Sequence, residues 1–279
     1  MITFSNSKIN IGLHIYDKLS NGYHNIESIF YPINWSDTIE IIPNKIGLVN
    51  YTQYGLKIDG SIDANLIVKA YNLLKADFNI GGADIYHLKN IPMGAGLGGG
   101  SANATYTLML CNKIFNLGLN QNQLKIYASK LGSDCVFFIE NKPAYVFGTG
   151  TETETIDLNL NEFFIVIVKP LFHVSTKEAY ENAHKRGIKS NEILLKDLVK
   201  KPIKEWKNFL FNDFENYVFK KFPMVEEIKN KLYKNGALYA SMSGSGSAVY
   251  GIFNEIVDLK NEFKDIAYFS NYLSIKSYI

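Results

Sequence analysis

Five glycines occupy the seven positions from Gly94 to Gly100, and this run constrains the fold more than any other stretch. Pro92 and Met93 precede it, and a helix-like sequence follows Ser101. Glycine tolerates positive φ and lets a ligand approach closely, and a helix that starts at once presents free N–H groups at the positive end of its dipole. The run therefore predicts a phosphate-binding loop rather than an open-ended Gly/Ser linker.

The glycine loop matches neither common nucleotide-binding pattern. No Gly-Lys-Ser/Thr sequence ends it, as a Walker A loop requires. Ile91 and Pro92 lead straight into the glycines, where a dinucleotide fingerprint would have a strand residue. The loop must therefore belong to a different phosphate-binding architecture.

The overall composition is that of an ordinary globular protein. The 279 residues suffice for one large domain or two ordinary ones, with 47% hydrophobic and 20% charged residues. A net charge of +2 predicts neither a nucleic-acid nor a membrane partner. We find no signal-peptide pattern and no apolar run of transmembrane length, and the two cysteines form no disulfide or metal pattern. We therefore expect a cytoplasmic protein.

Residues 2–16 alternate in polarity and predict a strand. One face carries the isoleucine and leucine side chains of the segment Ile9–Ile15, and the other carries Lys8 and Asn10. The commoner interpretation of such a second face is a solvated surface. The alternative is that Lys8 and Asn10 serve a functional site.

Two short motifs each leave two interpretations open. The Asn21-Gly22 turn is followed by Tyr23 and His24, whose rings either stack on a flat ligand such as a base or pack as in an ordinary hairpin. Asp134 follows Gly-Ser and precedes an apolar run. It is either the N-cap of a helix or a partly desolvated functional carboxylate.

The rest of the chain predicts alternating strands and helices. Asn65 is the expected N-cap of a helix, and Phe163–Val168 is an expected central strand of a second unit. The segment Ser243–Ser247 is typical of a flexible tip, but the strands on both sides favour a tight loop that packs close to another segment, such as the glycine loop. Other expected elements are a strand-turn-strand over 26–42, a hairpin over 48–60, a helix over 177–185 and helical structure over 190–235.

Three motifs together resemble the GHMP kinase superfamily along the whole chain: Lys8-Ile9-Asn10, Pro92–Ala104 and Ser243–Ser247. The resemblance implies a two-domain α+β fold. Its S5-like N-terminal domain would cover residues 1–155 and its ferredoxin-like C-terminal domain residues 156–279, with the active site in the cleft between them. It also implies ATP as phosphoryl donor, together with Mg²⁺.

Finer details resemble one branch of that superfamily, namely Asn21–His24, Asn65–Ile67, the all-glycine form of the loop and Gly132–Asp134. This branch phosphorylates the 2-hydroxyl of 4-diphosphocytidyl-2-C-methyl-D-erythritol in the non-mevalonate isoprenoid route. The partner implied is thus a small molecule with a cytidine diphosphate group. Departures such as Ser133, where alanine is usual, remove no expected catalytic side chain.

The resemblance also implies residue roles. Asp134 would act as general base and Lys8 would keep that carboxylate ionised and neutralise charge on the phosphoryl oxygens. The expected ATP-binding residues are Asn65, Leu66, Ile67, Lys89, Pro92, Met93, Gly94, Ala95, Gly96, Leu97, Gly98, Gly99, Gly100, Ser101 and Ala102. The expected substrate-binding residues are Asn10, Tyr23, His24, Phe172 and Thr176. Ser101 is also a candidate metal ligand.

Two alternatives stand beside this interpretation. Another small-molecule kinase of the superfamily, of the homoserine or mevalonate type, would keep the glycine loop but lack the Tyr23–His24 site. A non-catalytic ligand sensor on the same scaffold would be favoured by loss of Lys8 or Asp134, and both are present.

Overall fold

The computed structural model describes residues 1–20, 22–183, 185–186, 193–264 and 266–274. Its strands are β1 Ile2–Lys18, β2 His24–Asn44, β3 Val49–Gly55, β4 Gly82–Lys89, β5 Ala144–Phe147, β6 Glu152–Thr155, β7 Phe164–Lys169, β8 Tyr239–Met242, β9 Val249–Phe253 and β10 Ala267–Tyr272. Its helices are α1 Leu66–Phe78, α2 Gly99–Ile114, α3 Gln121–Ser129, α4 Phe137–Glu140, α5 Thr176–Asn182, α6 Leu195–Leu198, α7 Glu215–Lys221 and α8 Pro223–Lys234.

Two sheets organise these elements, which confirms the predicted α+β arrangement in two units. The first sheet has the order β3-β4-β2-β5-β6, with β1 also paired to β2. The second has the order β10-β7-β9-β8, so β7 is an inner strand as predicted. The first sheet ends at Thr155 and the second begins at Phe164. We propose that the domain boundary follows residue 155.

The long strand β2 corrects the predicted strand-turn-strand over 26–42. It is continuous for 21 residues and pairs with β1 along most of its length. Asn6 pairs with Ser36 but Ser7 pairs with Ile33, so two residues of β2 are extra at this point. A bulge therefore absorbs the polar interruption that resembled a turn in the sequence.

The hairpin predicted over 48–60 is also wrong. β3 pairs in parallel with β4, which follows it only after helix α1. A parallel partner lies far away along the chain because a crossover connection must intervene. Local alternation cannot distinguish this arrangement from a hairpin.

The helices of the second half are shorter than expected. α5 ends at Asn182 rather than Lys185. In place of a continuous helical region over 190–235, the described residues form α6, a 3-10 turn, α7 and α8. Pro202 and Pro223 interrupt this region, since proline cannot continue a helix from within. Asn21 and residues 190–192 of these predictions lie outside the described part of the chain.

One hydrophobic core joins the two sheets. Ile9 and Ile11 of β1 pack in the same buried cluster as Ile165 and Ile167 of β7. Tyr250 of β9 belongs to this cluster, and its hydroxyl donates to the backbone oxygen of Asn10 at 2.7 Å. The relative position of the sheets is therefore set by packing and by a buried hydrogen bond.

We predict that Tyr250→Phe lowers the free energy of unfolding by about 1–2 kcal/mol, because it leaves a buried backbone oxygen without this donor. Urea denaturation measures the change. Tyr54→Phe is the control, since Tyr54 is 56% exposed and should shift stability by less than about 0.5 kcal/mol. Equal stability of Tyr250→Phe and wild type would show that the hydroxyl does not stabilise the junction.

Candidate active site

The glycine loop has the backbone geometry that its sequence predicts. Gly96 and Gly98 have φ of +73° and +68°, and helix α2 begins directly afterwards at Gly99. A Cβ at Gly96 would lie 1.9 Å from the backbone oxygen of Ser243. The loop therefore requires glycine here both for its backbone conformation and for its close contact with another segment.

The predicted contact between the two small-residue loops is confirmed. The Ser243 hydroxyl donates to the backbone oxygen of Gly96 at 2.8 Å, and the Ala248 N–H donates to that of Ala95 at 3.2 Å. The segment Ser243–Ser247 thus holds the glycine loop from the C-terminal side. Gly96 of the glycine loop and Gly244 and Ser245 of the second loop line the same cavity.

A first cavity of about 390 Å³ lies along the glycine loop. Most of the residues expected to bind ATP line it, namely Asn65, Leu66, Lys89, Pro92, Met93, Gly94, Ala95, Gly96, Leu97, Gly98, Gly99, Gly100 and Ser101. Sequence reasoning missed five residues that complete the wall, namely Ile58, Asp59, Ser61, Ala64 and Asn103. In the sequence, only their closeness to Asn65 or to the glycine loop indicated that they would line this cavity.

Two expected ATP-binding residues do not line this cavity. Ile67 is the second residue of α1, and its side chain is buried in the core. Its backbone N–H donates to Asn65 Oδ1 at 2.9 Å. Ala102 is fully buried and packs in a cluster with Phe30. Both side chains face the core because they lie on the inner faces of α1 and α2.

Lys89 anchors the start of the loop. It is buried and forms an ion pair with Asp37, whose other oxygen accepts the N–H groups of Asn90 and Ile91 at 2.7 and 2.8 Å. Burial lowers the pKa of the Lys89 ammonium, and Asp37 counteracts that shift. Lys89 lines the cavity, as expected of an ATP-binding residue, but its side chain is only 3% exposed and so presents a small part of its surface there.

A second cavity of about 340 Å³ adjoins the first across the glycine loop. Gly94, Gly96, Gly98 and Ser101 line both cavities. The second cavity also brings together the predicted residues Lys8, Asn10, Asp134 and Thr176. A phosphate held by the loop would thus face these side chains.

Lys8 is the cation of this cavity, although it is almost fully buried. Its Nζ lies 2.6 Å from Asn10 Oδ1, 3.3 Å from Asp134 Oδ2 and 4.1 Å from the centre of the Phe30 ring. Burial lowers the pKa of Lys8, and the Asp134 carboxylate counteracts the shift. The solvated-face interpretation of β1 is therefore wrong for Lys8 and Asn10.

Asp134 lies in a 3-10 turn, Ser133–Cys135, and its side chain is 30% exposed. The helix-cap interpretation is wrong, because α4 starts after Val136 without a side-chain cap. The carboxylate lies 3.3 Å from Lys8 Nζ, and both residues line the second cavity. A partly solvated carboxylate beside a buried ammonium can accept a proton from a bound alcohol.

A third cavity of about 570 Å³ contains Tyr23 and His24 and opens towards the second. Ser133 and Tyr180 line both. The His24 ring stacks on Tyr180 with centroids 5.3 Å apart and planes inclined by 15°. Burial lowers the pKa of His24, and Lys185 and Lys18 lower it further, which favours a neutral ring near pH 7.

The structure does not bring Phe172 to this cavity. Its ring stacks on Phe222 at 4.7 Å, because the turn after β7 directs it towards the start of α8. Tyr180 of α5 lines the third cavity instead. Its position four residues after the predicted Thr176 could have indicated this, since residues four apart lie on one helix face.

The described residues contain no group of three or more His, Cys, Asp or Glu side chains placed to hold a metal ion. Within the same residues, no helix combines the length and apolarity needed to cross a bilayer. Oxygen atoms near the loop are available from the Ser101 hydroxyl and the Asp134 carboxylate.

The GHMP kinases N terminal domain family matches residues 65–142, and the GHMP kinases C terminal family matches residues 194–265. This chain belongs to the GHMP kinases. It is 48% identical to the 4-diphosphocytidyl-2-C-methyl-D-erythritol kinase of Bacteroides thetaiotaomicron over 91% of this chain and 92% of that protein.

Solved structures of GHMP kinases have the same fold. A crystal structure of 4-(cytidine 5'-diphospho)-2C-methyl-D-erythritol kinase aligns with a TM-score of 0.71 and 27% identity, covering 90% of each chain. The mevalonate kinase of Methanococcus jannaschii aligns with a TM-score of 0.71 and 16% identity over 97% of each chain. The second likeness concerns the fold alone.

We predict that Gly96→Ala raises the KM for ATP about tenfold or more, equivalent to ~1.4 kcal/mol. The added Cβ would collide with Ser243 and would strain a residue at positive φ. Steady-state kinetics with varied ATP measure the effect. Gly81→Ala is a matched control because the new Cβ would lie 3.9 Å from its nearest neighbour. An unchanged KM in Gly96→Ala would contradict a phosphate-binding role of the loop.

Proposed function

We propose that this GHMP kinase transfers the γ-phosphoryl group of ATP to the 2-hydroxyl of 4-diphosphocytidyl-2-C-methyl-D-erythritol, in the non-mevalonate route to isoprenoid precursors. The observation that carries this proposal is the continuity of three cavities. The ring-lined cavity of Tyr23, His24 and Tyr180 opens into the Lys8–Asp134 cavity. That cavity in turn shares the glycine loop with the first. Relatives at 48% identity named for this activity support the same conclusion.

The acceptor is a tertiary alcohol, which must lose its proton as the phosphoryl group arrives. Asp134 is the general base in our proposal, because its carboxylate lines the reaction cavity and is partly solvated. Lys8 stabilises the ionised carboxylate from 3.3 Å. It also faces the position where charge builds up on the transferring group.

Asn10 orients the lysine. Its Oδ1 accepts from Lys8 Nζ, and its Nδ2 donates to the Ser28 hydroxyl at 2.9 Å, which in turn donates to the backbone oxygen of Gly12. This chain of hydrogen bonds determines which way the Asn10 amide points. The Lys8 ammonium is therefore directed into the cavity before any substrate arrives.

The glycine loop and the start of α2 bind the phosphates of ATP through backbone N–H groups. Mg²⁺ usually needs only one or two protein oxygens, since phosphates and water complete its coordination. Ser101, which lines both the ATP and the reaction cavity, would hold it in our proposal. The ion would neutralise charge on the phosphate oxygens.

The rings of Tyr23, His24 and Tyr180 recognise the cytosine in this proposal, by stacking on a base. The 5.3 Å between the His24 and Tyr180 centroids leaves no room for a third ring between them. A base must therefore replace this ring contact, or stack on an outer face of one ring. Thr176 lies on the same helix as Tyr180 and faces the reaction cavity.

The substrate assignment is tested by measuring ADP release with four alcohols: the cytidine diphosphate compound, free 2-C-methyl-D-erythritol 4-phosphate, mevalonate and homoserine. We expect efficient turnover of the first alone, and a 5- to 150-fold rise in its KM for Tyr180→Ala, corresponding to the ~1–3 kcal/mol of one lost stacking partner. The KM for ATP should stay within twofold. Equal use of the base-free alcohols by the wild type would refute the cytidine site.

Asp134→Asn should lower kcat by about two orders of magnitude or more while leaving ATP affinity nearly intact, because the change removes a base and no phosphate contact. Single-turnover kinetics and ATP titration separate the two quantities. Near-normal turnover in the folded variant would exclude Asp134 as the base. Glu154→Gln, on the exposed strand β6, is the control for loss of one carboxylate.

A further inference from the structure

Arg186 is the only arginine in the sequence, where the other 28 of the 29 basic residues are lysines. Position 186 therefore carries the one guanidinium group in this sequence. Arginine differs from lysine by its planar, fork-shaped set of donors, which can contact both oxygens of a carboxylate at once. In the fold, Nε of this guanidinium contacts both oxygens of one carboxylate.

Arg186 is bound to a buried carboxylate. Its Nε lies 3.0 and 2.8 Å from the two oxygens of Asp213, whose side chain is only 3% exposed. Asp213 also accepts the backbone N–H of Ile15 at 2.9 Å. The backbone N–H of Arg186 donates to the Ile15 oxygen at 2.8 Å. Arg186 and Asp213 thus fasten two separate segments to the same residue of β1.

The same two segments meet a second time at the ring-lined cavity. Tyr180, six residues before Arg186, packs edge-on against Phe214 with centroids 4.9 Å apart. Phe214 follows Asp213 directly. Tyr180, within α5, is therefore joined to Phe214 by an aromatic contact, and Arg186, beyond the end of α5, is joined to Asp213 by an ion pair.

We propose that Arg186 is a positioning residue for cytidine recognition: by its two-oxygen contact with Asp213, it holds the Tyr180 wall of the third cavity at a set distance from β1. This inference rests on the proposed function and extends it to a residue that touches no substrate. The ATP cavity lies on the other side of the glycine loop and does not involve either segment.

A lysine at position 186 would supply the charge but not the geometry. An ammonium is a compact charge at the end of a flexible four-carbon stem, so it restrains the orientation of the segment less than a planar, pre-organised guanidinium does. The carboxylate of Asp213 would keep its bond to Ile15 and a neutralising charge. Arg186→Lys therefore isolates the positioning effect from the loss of a buried ion pair.

The test compares wild type with Arg186→Lys in two measurements. The first is steady-state kinetics with the cytidine diphosphate alcohol and ATP varied separately. The second is calorimetric binding of cytidine 5'-diphosphate alone. We expect about a tenfold rise in the KM of the alcohol and in the Kd of the nucleotide, with kcat and the KM for ATP within about twofold. Lys200→Met, which removes an exposed ion pair with Asp197, should match wild type.

Chemical rescue distinguishes positioning from general structural support. In Arg186→Gly, guanidinium chloride at low millimolar concentration should restore most of the lost nucleotide affinity by occupying the vacated place beside Asp213. Methylammonium chloride at equal concentration should not, because its compact, strongly hydrated ammonium does not match the place that the planar guanidinium vacates. Equal effects of the two salts would overturn the proposal.

The outcomes separate this inference from the proposed function. Unchanged nucleotide binding in Arg186→Lys, or equal rises in the KM for both substrates, would overturn the role of Arg186 alone. Failure of the wild type to bind cytidine 5'-diphosphate would overturn the proposed function, and this inference with it. A selective tenfold loss that guanidinium restores would support both.

Discussion

The edge of β1 that does not pair with β2 is the constraint on which the rest of the structure depends. This edge lies in the protein interior, where its backbone N–H and C=O groups need hydrogen-bond partners. Segments that are distant in sequence supply them: the N–H groups of Lys8, Asn10 and Leu13 donate to Leu97, Ser243 and Phe211. The hydrogen bonds to this one buried edge thus bring the glycine loop, the segment Ser243–Ser247 and the segment Phe211–Asp213 together around the cleft.

This arrangement explains how a lysine and an asparagine come to lie in a core-facing strand. Lys8 and Asn10 share the face of β1 that borders the reaction cavity, and neither is solvated. A buried ammonium without partners would cost far more than the strand could compensate. Asp134, Asn10 and the face of the Phe30 ring supply those partners, so the stability of the site and its chemistry rest on the same contacts.

Local signals predicted the parts of the site that local chemistry decides. The glycine run, the Asn65 cap and the Ser243–Ser247 turn each need particular residues for their own backbone conformation, and the structure has them where the sequence indicated. The prediction that Phe172 lines the ring-lined cavity did not match the structure, because two aromatic residues, Phe172 and Tyr180, follow β7. Which ring reaches the cavity depends on the direction of α5, and composition alone does not reveal it.

The sequence by itself determined the positive-φ glycine loop and the alternating first strand, because glycine conformation and periodicity act over a few neighbouring residues, whereas the two-unit α+β fold and the roles of Lys8 and Asp134 followed only from the resemblance to the GHMP kinases. The tertiary structure alone decided that β3 runs parallel to β4, that Lys89 is held by Asp37, and that Tyr180 rather than Phe172 completes the ring-lined cavity. These outcomes depend on which distant segments satisfy buried polar groups and fill the shared core. Such pairings are settled only when the whole chain is folded.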